Sequence, residues 1–257
     1  MISNKLKFCI WNIHGYKSRK FGNKFHCEDF LNTIKDQDFI GLTETHIHDE
    51  ILEHLSIPGF TRISYKNQKK NLKSNTAPGG IAVFVKENLA KLFKGENSDN
   101  EDTIWVKIKK ELSGSENDIF IGTHYLSPTT KNDEIAKLLD NTSVFQQKGH
   151  ILISGDFNAR TGNLHDTISQ DKYDSDFGIE NEKTPKKRNS EDKQTNKRGE
   201  DMLDMCKSLG LYIANGRKLG DPFGSYTCLK WNGNSIVDYL LTSHEIFDQN
   251  LANGDRS

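Results

Sequence analysis

In Ile151-Leu-Ile-Ser-Gly-Asp-Phe-Asn-Ala159 an aliphatic run closes on Ser154 and Gly155 and then delivers Asp156 and Asn158, two residues apart. A short apolar run closed by glycine reads as a buried strand. Side chains alternate along an extended chain, so Asp156 and Asn158 leave the strand end on the same side. A carboxylate beside a carboxamide suits phosphate-ester chemistry: the carboxylate takes a proton from water, and the amide fixes that water or a phosphate oxygen. Taken alone, Asp-Phe-Asn reads first as the start of a turn, because Asx residues favour turns. Its companions along the chain favour the chemical reading.

Strands that end in polar residues recur on both sides of this stretch. Leu6 to Asn12 alternates into an apolar strand and stops at Asn12; Asp38 to Glu44 is a second, ending in a carboxylate. Gly79 to Val85, Thr103 to Lys109 and Ile119 to Tyr125 follow, and Ser225 to Cys228 and Ser235 to Leu241 are the last two. Helical spacing marks His26 to Lys35, Asp133 to Phe145, and Arg198 to Leu209, the last stopped by Gly210. Strands outnumber helices and some neighbours read as antiparallel. The fold class expected is therefore α/β, with packed mixed sheets flanked by helices rather than one doubly wound parallel sheet.

Composition bounds the partners. The chain has 257 residues, the upper end of one large domain or enough for two small ones. With 35 basic against 36 acidic residues the net charge is −1, so any polyanion must be held by local patches. Cys9, Cys27, Cys206 and Cys228 form no Cys-x-x-Cys pair, which argues against a metal cluster or redox motif. The opening Met1-Ile-Ser-Asn-Lys5 has no secretory pattern, and no apolar stretch approaches a bilayer span. These features point to an intracellular protein, nuclear or cytoplasmic, not secreted and not membrane-bound.

Trp11-Asn12, Glu44-Thr45-His46, Tyr125-Leu126-Ser127-Pro128, Gly155-Asp156-Phe157-Asn158, Ser225-Tyr226-Thr227 and Val237-Asp238-Tyr239 occur in this order. The set resembles the endonuclease/exonuclease/phosphatase superfamily, and the wording of residues 151–162, 210–217 and 220–241 is similar to the apurinic-type endonuclease domain of non-LTR retrotransposons. The resemblance implies a deoxyribonuclease I-like four-layer α/β/β/α sandwich made by a single domain over 1–257. It implies that Asn12 orients the scissile phosphate and the catalytic carboxylate, that Glu44 ligates Mg²⁺ (with Mn²⁺ as the alternative ion), and that Tyr125 touches the phosphate. Asp156 would activate the attacking water, Asn158 would position it, Thr227 would support the site, and Asp238 would orient a histidine. His14 stands where some relatives carry a metal-binding Asp, which leaves Glu44 as the main protein ligand.

The family's Ser-Asp-His element is expected shortly after Val237-Asp238-Tyr239, yet the sequence runs to Asp255-Arg256-Ser257 without it. The expectation is a domain truncated at its C-terminus, lacking its last strand and weakened or inactive, since a lost general acid/base residue costs about 10²–10⁴ in rate. The functional expectation is a Mg²⁺-dependent DNA endonuclease of retrotransposon type, monomeric, with a reverse transcriptase domain downstream in the full-length protein. Two alternatives stay open: a phosphatase on the same fold, and a decayed nucleic-acid-binding remnant.

Further residues carry weaker signals. Lys66, Lys69, Lys70 and Lys73 form a basic run read as lying along DNA, and Lys183 to Arg198 reads as a flexible basic surface loop. Pro185-Lys-Lys-Arg188 within it could also serve as a nuclear import signal. Trp231 reads either as a base-stacking or groove-inserting residue or, more plainly, as an aromatic packed at a hairpin tip. His46 and His48 look like a metal pair but stand at a strand exit, where exposure or hydrogen bonding is the ordinary outcome.

Overall fold

The computed structural model describes residues 6–20, 22–67, 79–113, 115–130, 134–168, 187–218, 220–231 and 233–248. The chain falls into two compact units, residues 1–157 and 158–257. The first contains strands β1 (Phe8–Asn12), β2 (Lys17–Ser18) and β3 (Gly22–Asn23), helix α1 (Glu28–Ile34), β4 (Phe39–Thr43), β5 (Phe60–Lys66), β6 (Ile81–Lys86) and β7 (Phe93–Glu96). It continues with β8 (Thr103–Ile108), α2 (Lys110–Ser113), β9 (Ile119–Tyr125), α3 (Glu134–Gln146) and β10 (His150–Asp156).

Within this unit one sheet runs β1-β4-β6-β5, and β10-β9-β8-β7 are neighbours in a second. Both are mixed: β1 pairs parallel with β4 and β10 parallel with β9, while the other pairs are antiparallel. The sequence explains which face goes where. In β4, Ile40 and Leu42 pack with Phe30 and Ile34 of α1 and with Phe84 of β6. Gly41, on the opposite face, meets the second sheet: a Cβ there would sit 2.6 Å from Ile10 Cδ1 and 2.7 Å from Thr123 Oγ1. Only a residue without a side chain lets β4 and β9 approach this closely. Beyond the second sheet, Trp105 and Phe120 pack against Phe145 of α3 with tilted rings, their centroids 4.6 and 5.2 Å from that of Phe145. Helix, sheet, sheet and helix follow one another, so the α/β class with packed mixed sheets and flanking helices is the one found.

The second unit contains α4 (Lys197–Leu209), β11 (Tyr212–Ile213), β12 (Cys228–Lys230), β13 (Gly233–Ser235), β14 (Asp238–Thr242) and α5 (His244–Asp248). Asn196 caps α4 by accepting from Gly199 N at 2.8 Å, and Gly210 ends it in the left-handed region. β11 pairs antiparallel with β14, and β12 with β13.

The last two expected strands, 225–228 and 235–241, are instead a hairpin, β12–β13, followed by a separate strand, β14. Side chains have taken the backbone donors that longer strands would need. Asp221 Oδ1 accepts from Ser225 N, Glu191 Oε2 from Tyr226 N and Asp192 Oδ2 from Ile236 N. Strands β5, β7 and β11 had no counterpart in the sequence reading; β5 carries charged residues and a register shift between Arg62 and Ser64. No helix among the described residues is long and apolar enough to cross a membrane.

Gly155 pairs with His124 across β10 and β9 at φ 153, where a Cβ would lie 1.8 Å from the His124 carbonyl oxygen. Gly155→Ala is expected to cost about 3 kcal/mol or more by forcing these strands apart. Urea unfolding of the purified variant measures this, and an unchanged midpoint would show that the strands yield freely.

Candidate active site

Parallel neighbours finish at the same edge of a sheet, and in the first unit two such pairs bring four polar ends together. Asn12 closes β1 opposite Thr43, and Glu44 follows Thr43; Asp156 closes β10 in register with Tyr125 of β9. Asn12 Nδ2 donates to Asp156 Oδ2 at 3.1 Å, and the Tyr125 hydroxyl donates to Glu44 Oε1 at 3.1 Å. Asn12 also hydrogen-bonds the Glu44 side chain, and its Oδ1 accepts from His14 N at 3.0 Å. The structure thus unites Asn12, Glu44, Tyr125 and Asp156, four of the residues singled out from sequence.

Two histidines complete the rim. His14 Nδ1 lies 3.0 Å from Glu44 Oε2, and His46 Nε2 lies 3.8 Å from the same oxygen. Burial alone would raise the Glu44 pKa, but hydrogen bonds from Asn12, His14 and Tyr125 outweigh it, and the carboxyl is held below its usual range. Burial and the adjacent Glu44 charge push the Tyr125 phenol up, so it stays protonated and keeps a proton to donate. Burial also lowers His46, more than Glu44 raises it. His48, by contrast, faces Glu50 at 3.6 Å and does not join the Glu44 cluster.

The backbone is strained where the chemistry gathers. The non-glycine residues with left-handed φ among those described are His14 (46°), Glu44 (50°), His46 (55°) and Asn158 (46°). Such conformations cost of order 1–3 kcal/mol each and persist where the surroundings enforce them. Here Gly15 N donates to Glu44 O at 2.6 Å and Tyr16 N to Thr45 O at 2.8 Å, fastening the two bent segments together. Lys24 Nζ reinforces the bend by donating to Ile13 O at 2.5 Å. Sequence reading missed this role of Lys24, one basic residue among 35 with no motif to mark it.

The remaining expected site residues lie in the second unit. Asn158 O accepts from Asn196 Nδ2 at 3.3 Å. Thr227 Oγ1 accepts from both Val237 N and Asp238 N at 3.1 Å, so it fixes the start of the strand that carries Asp238. Trp231 stands at the tip of the β12–β13 hairpin, 98% exposed, which overturns the reading of an aromatic packed at a turn. Lys69 and Lys70 lie outside the described residues, as do Lys73, 183–186 and 249–257. Lys66, read with them as a DNA-facing cation, is half-buried and donates to Asn100 O and Thr103 O. Residues 187–196 of the expected basic surface loop are held down: Arg188 and Asp192 are buried, and Asp192 grips Arg160 with two bonds, at 2.8 and 2.7 Å.

A metal can be judged against the donors present. Among the described residues no group of three or more His, Cys, Asp or Glu side chains could hold an ion. Glu44 and, through their shared Asn12, Asp156 offer carboxylate oxygen only. Those oxygens fit a hard cation that keeps most of its waters, as Mg²⁺ does.

A model of the Endonuclease/Exonuclease/phosphatase family matches residues 9–254. The chain belongs to this family. Its members are usually hydrolytic enzymes and generally depend on a divalent metal. Comparison with curated proteins finds no significant match. Among solved structures, the endonuclease domain of TRAS1, a telomere-specific non-LTR retrotransposon, is similar at a TM-score of 0.53 and 13% identity, over 95% of this chain and 88% of that one. The human nocturnin catalytic domain with bound sulfate gives 0.52 and 18%, over 93% and 81%. A family protein from Leptotrichia buccalis gives 0.50 and 14%, over 93% and 88%. At these identities the likeness speaks for the fold.

His14 has an 89% exposed side chain on a left-handed backbone, so His14→Gly should be at least as stable as the wild type, and His14→Val less stable by about 1–2 kcal/mol; thermal unfolding of the pair checks this. Asp102, whose carbonyl accepts from Tyr125 N at 2.9 Å, has its pKa raised to about 6 by burial and by Glu134 beside it. A carboxyl raised in the fold favours the protonated state, so its contribution is present below about pH 3.8 and is lost as pH rises through about 6. Asp102→Asn should therefore unfold at a higher temperature than the wild type at pH 7.5 and at nearly the same temperature at pH 4.

Proposed function

We propose that this chain is a Mg²⁺-dependent phosphodiesterase that nicks DNA, an endonuclease of the non-LTR retrotransposon type. The observation that carries the reading is the bond from Asn12 Nδ2 to Asp156 Oδ2, with the same Asn12 bonded to Glu44. It sets a candidate base beside a candidate metal ligand in a partly buried, hydrogen-bonded corner. Asp156 takes the proton of the attacking water, and Asn12 fixes the plane of its carboxylate. The Tyr125 hydroxyl, which holds Glu44 Oε1 in the free site, turns its proton to the charge that grows on the phosphate oxygens once an ion takes its place on Glu44. Glu44, ionised and facing His14, is the residue that would hold the ion. When bound, Mg²⁺ supplies Lewis-acid neutralisation of the phosphate and leaving oxygen.

The roles proposed for Asn158, Thr227 and Asp238 rest on the motif resemblance. Contact with DNA is supported by the exposed Trp231, carried on a hairpin with Lys230 and the 73% exposed Leu229. Apolar wedges of this kind unstack or widen a duplex from its minor groove.

Nicking of supercoiled plasmid in Mg²⁺ and in EDTA tests the proposal. Mg²⁺-dependent nicking is expected, with Asp156→Asn slower by about 10²–10⁴ and Glu44→Gln requiring more Mg²⁺. Hydrolysis of phosphomonoesters without nicking would instead establish a phosphatase, and salt-sensitive DNA binding without cleavage a binding remnant.

A further inference from the structure

The second unit contains a cavity of about 640 Å³ whose lining includes Lys187, Arg188, Lys193, Phe223 and Tyr226. Arg188 is 4% exposed, and its Nη2 donates to Gly162 O at 2.8 Å and Leu164 O at 3.1 Å. Its Nε is buried with no hydrogen-bond partner. Asp166 attracts it from a distance, but that carboxylate is held by Arg217 through bonds of 2.5 and 2.7 Å. A buried guanidinium answered only by carbonyls is costly, and an anion in the cavity removes that cost.

The wall around Arg188 is already fixed. Asn189 N donates to Gly216 O at 3.1 Å, and Glu191 N to Gly224 O at 2.9 Å. At both glycines a Cβ would lie within 2.4 Å of the Asn189 carbonyl oxygen. The Tyr226 hydroxyl donates to Glu191 O at 3.1 Å, and Glu191 Oε2 accepts from Tyr226 N at 3.3 Å, which engages the carboxylate of the lining. Lys187 and Lys193 are exposed, and the Phe223 ring is 68% exposed beside them. Cations around one apolar ring face form a platform for a phosphate with a base attached, and stacking is worth about 1–3 kcal/mol per base.

We propose that this cavity binds a nucleoside phosphate, with the phosphate at Arg188, Lys187 and Lys193 and the base against Phe223 and Tyr226. Its source is either a free nucleotide or an unpaired nucleotide of a nucleic-acid strand. The proposal does not rest on the hydrolytic reading, because the residues it uses take no part in that chemistry.

The test is calorimetric titration of the whole chain in EDTA, where no metal-dependent cleavage occurs, with dAMP, deoxyadenosine and inorganic phosphate as separate probes. The expected result is saturable dAMP binding at least tenfold tighter than either fragment and weakened by salt. Phe223→Ala and Lys187→Ala, both at exposed positions, should each weaken it at least fivefold without changing the unfolding temperature. Competition by an oligonucleotide with an unpaired end assigns the site to a strand; competition by free nucleotide alone assigns it to a small molecule. Phosphate binding as tightly as dAMP, no saturable binding, or Phe223→Ala binding like the wild type would each overturn the proposal. None of these outcomes bears on nicking by Asp156.

Discussion

The bond from the Asn12 amide to the Asp156 carboxylate spans 144 positions of sequence and joins the polar ends of two sheets in the first unit. The rest of the site depends on it. For Asn12 to reach Asp156, β1 must run parallel to β4, β10 parallel to β9, and the sheets must close on one another. Gly41 permits that closure, because any side chain there would collide with Ile10 and Thr123. Gly155 permits the matching approach of β10 to β9. Two glycines in strand interiors, ordinarily a weakness, here set the spacing on which the polar corner relies.

That corner holds a tension. Two carboxylates, Glu44 and Asp156, share one amide, and both histidines and Glu44 sit on left-handed backbone. Burial disfavours an ionised Glu44, yet three hydrogen-bond donors keep it charged. Free energy gained in the apolar core, where Ile40, Leu42 and Phe84 pack against α1, is what sustains such an arrangement. Among the described residues, left-handed non-glycine backbone is found at Glu44, at the two histidines beside it and at Asn158.

Much of this was legible in the sequence because strand periodicity and strand-end polarity are local signals. Ile119 to Tyr125 is found with the bounds its alternation suggests, and Asn12, Glu44, Tyr125 and Asp156 were recognisable by closing apolar runs. What was not legible arises from long-range pairing. The Asn12–Asp156 bond, the left-handed bend at Glu44 and the hold of Lys24 on Ile13 have no signature within any short window. Composition misled in two places for one reason. Lys66 and Arg188 were read as solvent-facing cations from their basic neighbours, while their side chains turn inward to backbone carbonyls. Trp231 erred the other way: a large aromatic at a tight turn suggested packing, and it stands in solvent.

As proposed above, the four strand ends act as one hydrolytic unit. The most direct test is a double-mutant cycle on Mg²⁺-dependent plasmid nicking with Asn12→Ala, Asp156→Ala and the pair. If Asn12 works by holding Asp156, each single change slows nicking and the double variant is no slower than Asp156→Ala alone. Losses that multiply in the double variant, or a wild type that does not nick in Mg²⁺, would contradict the account.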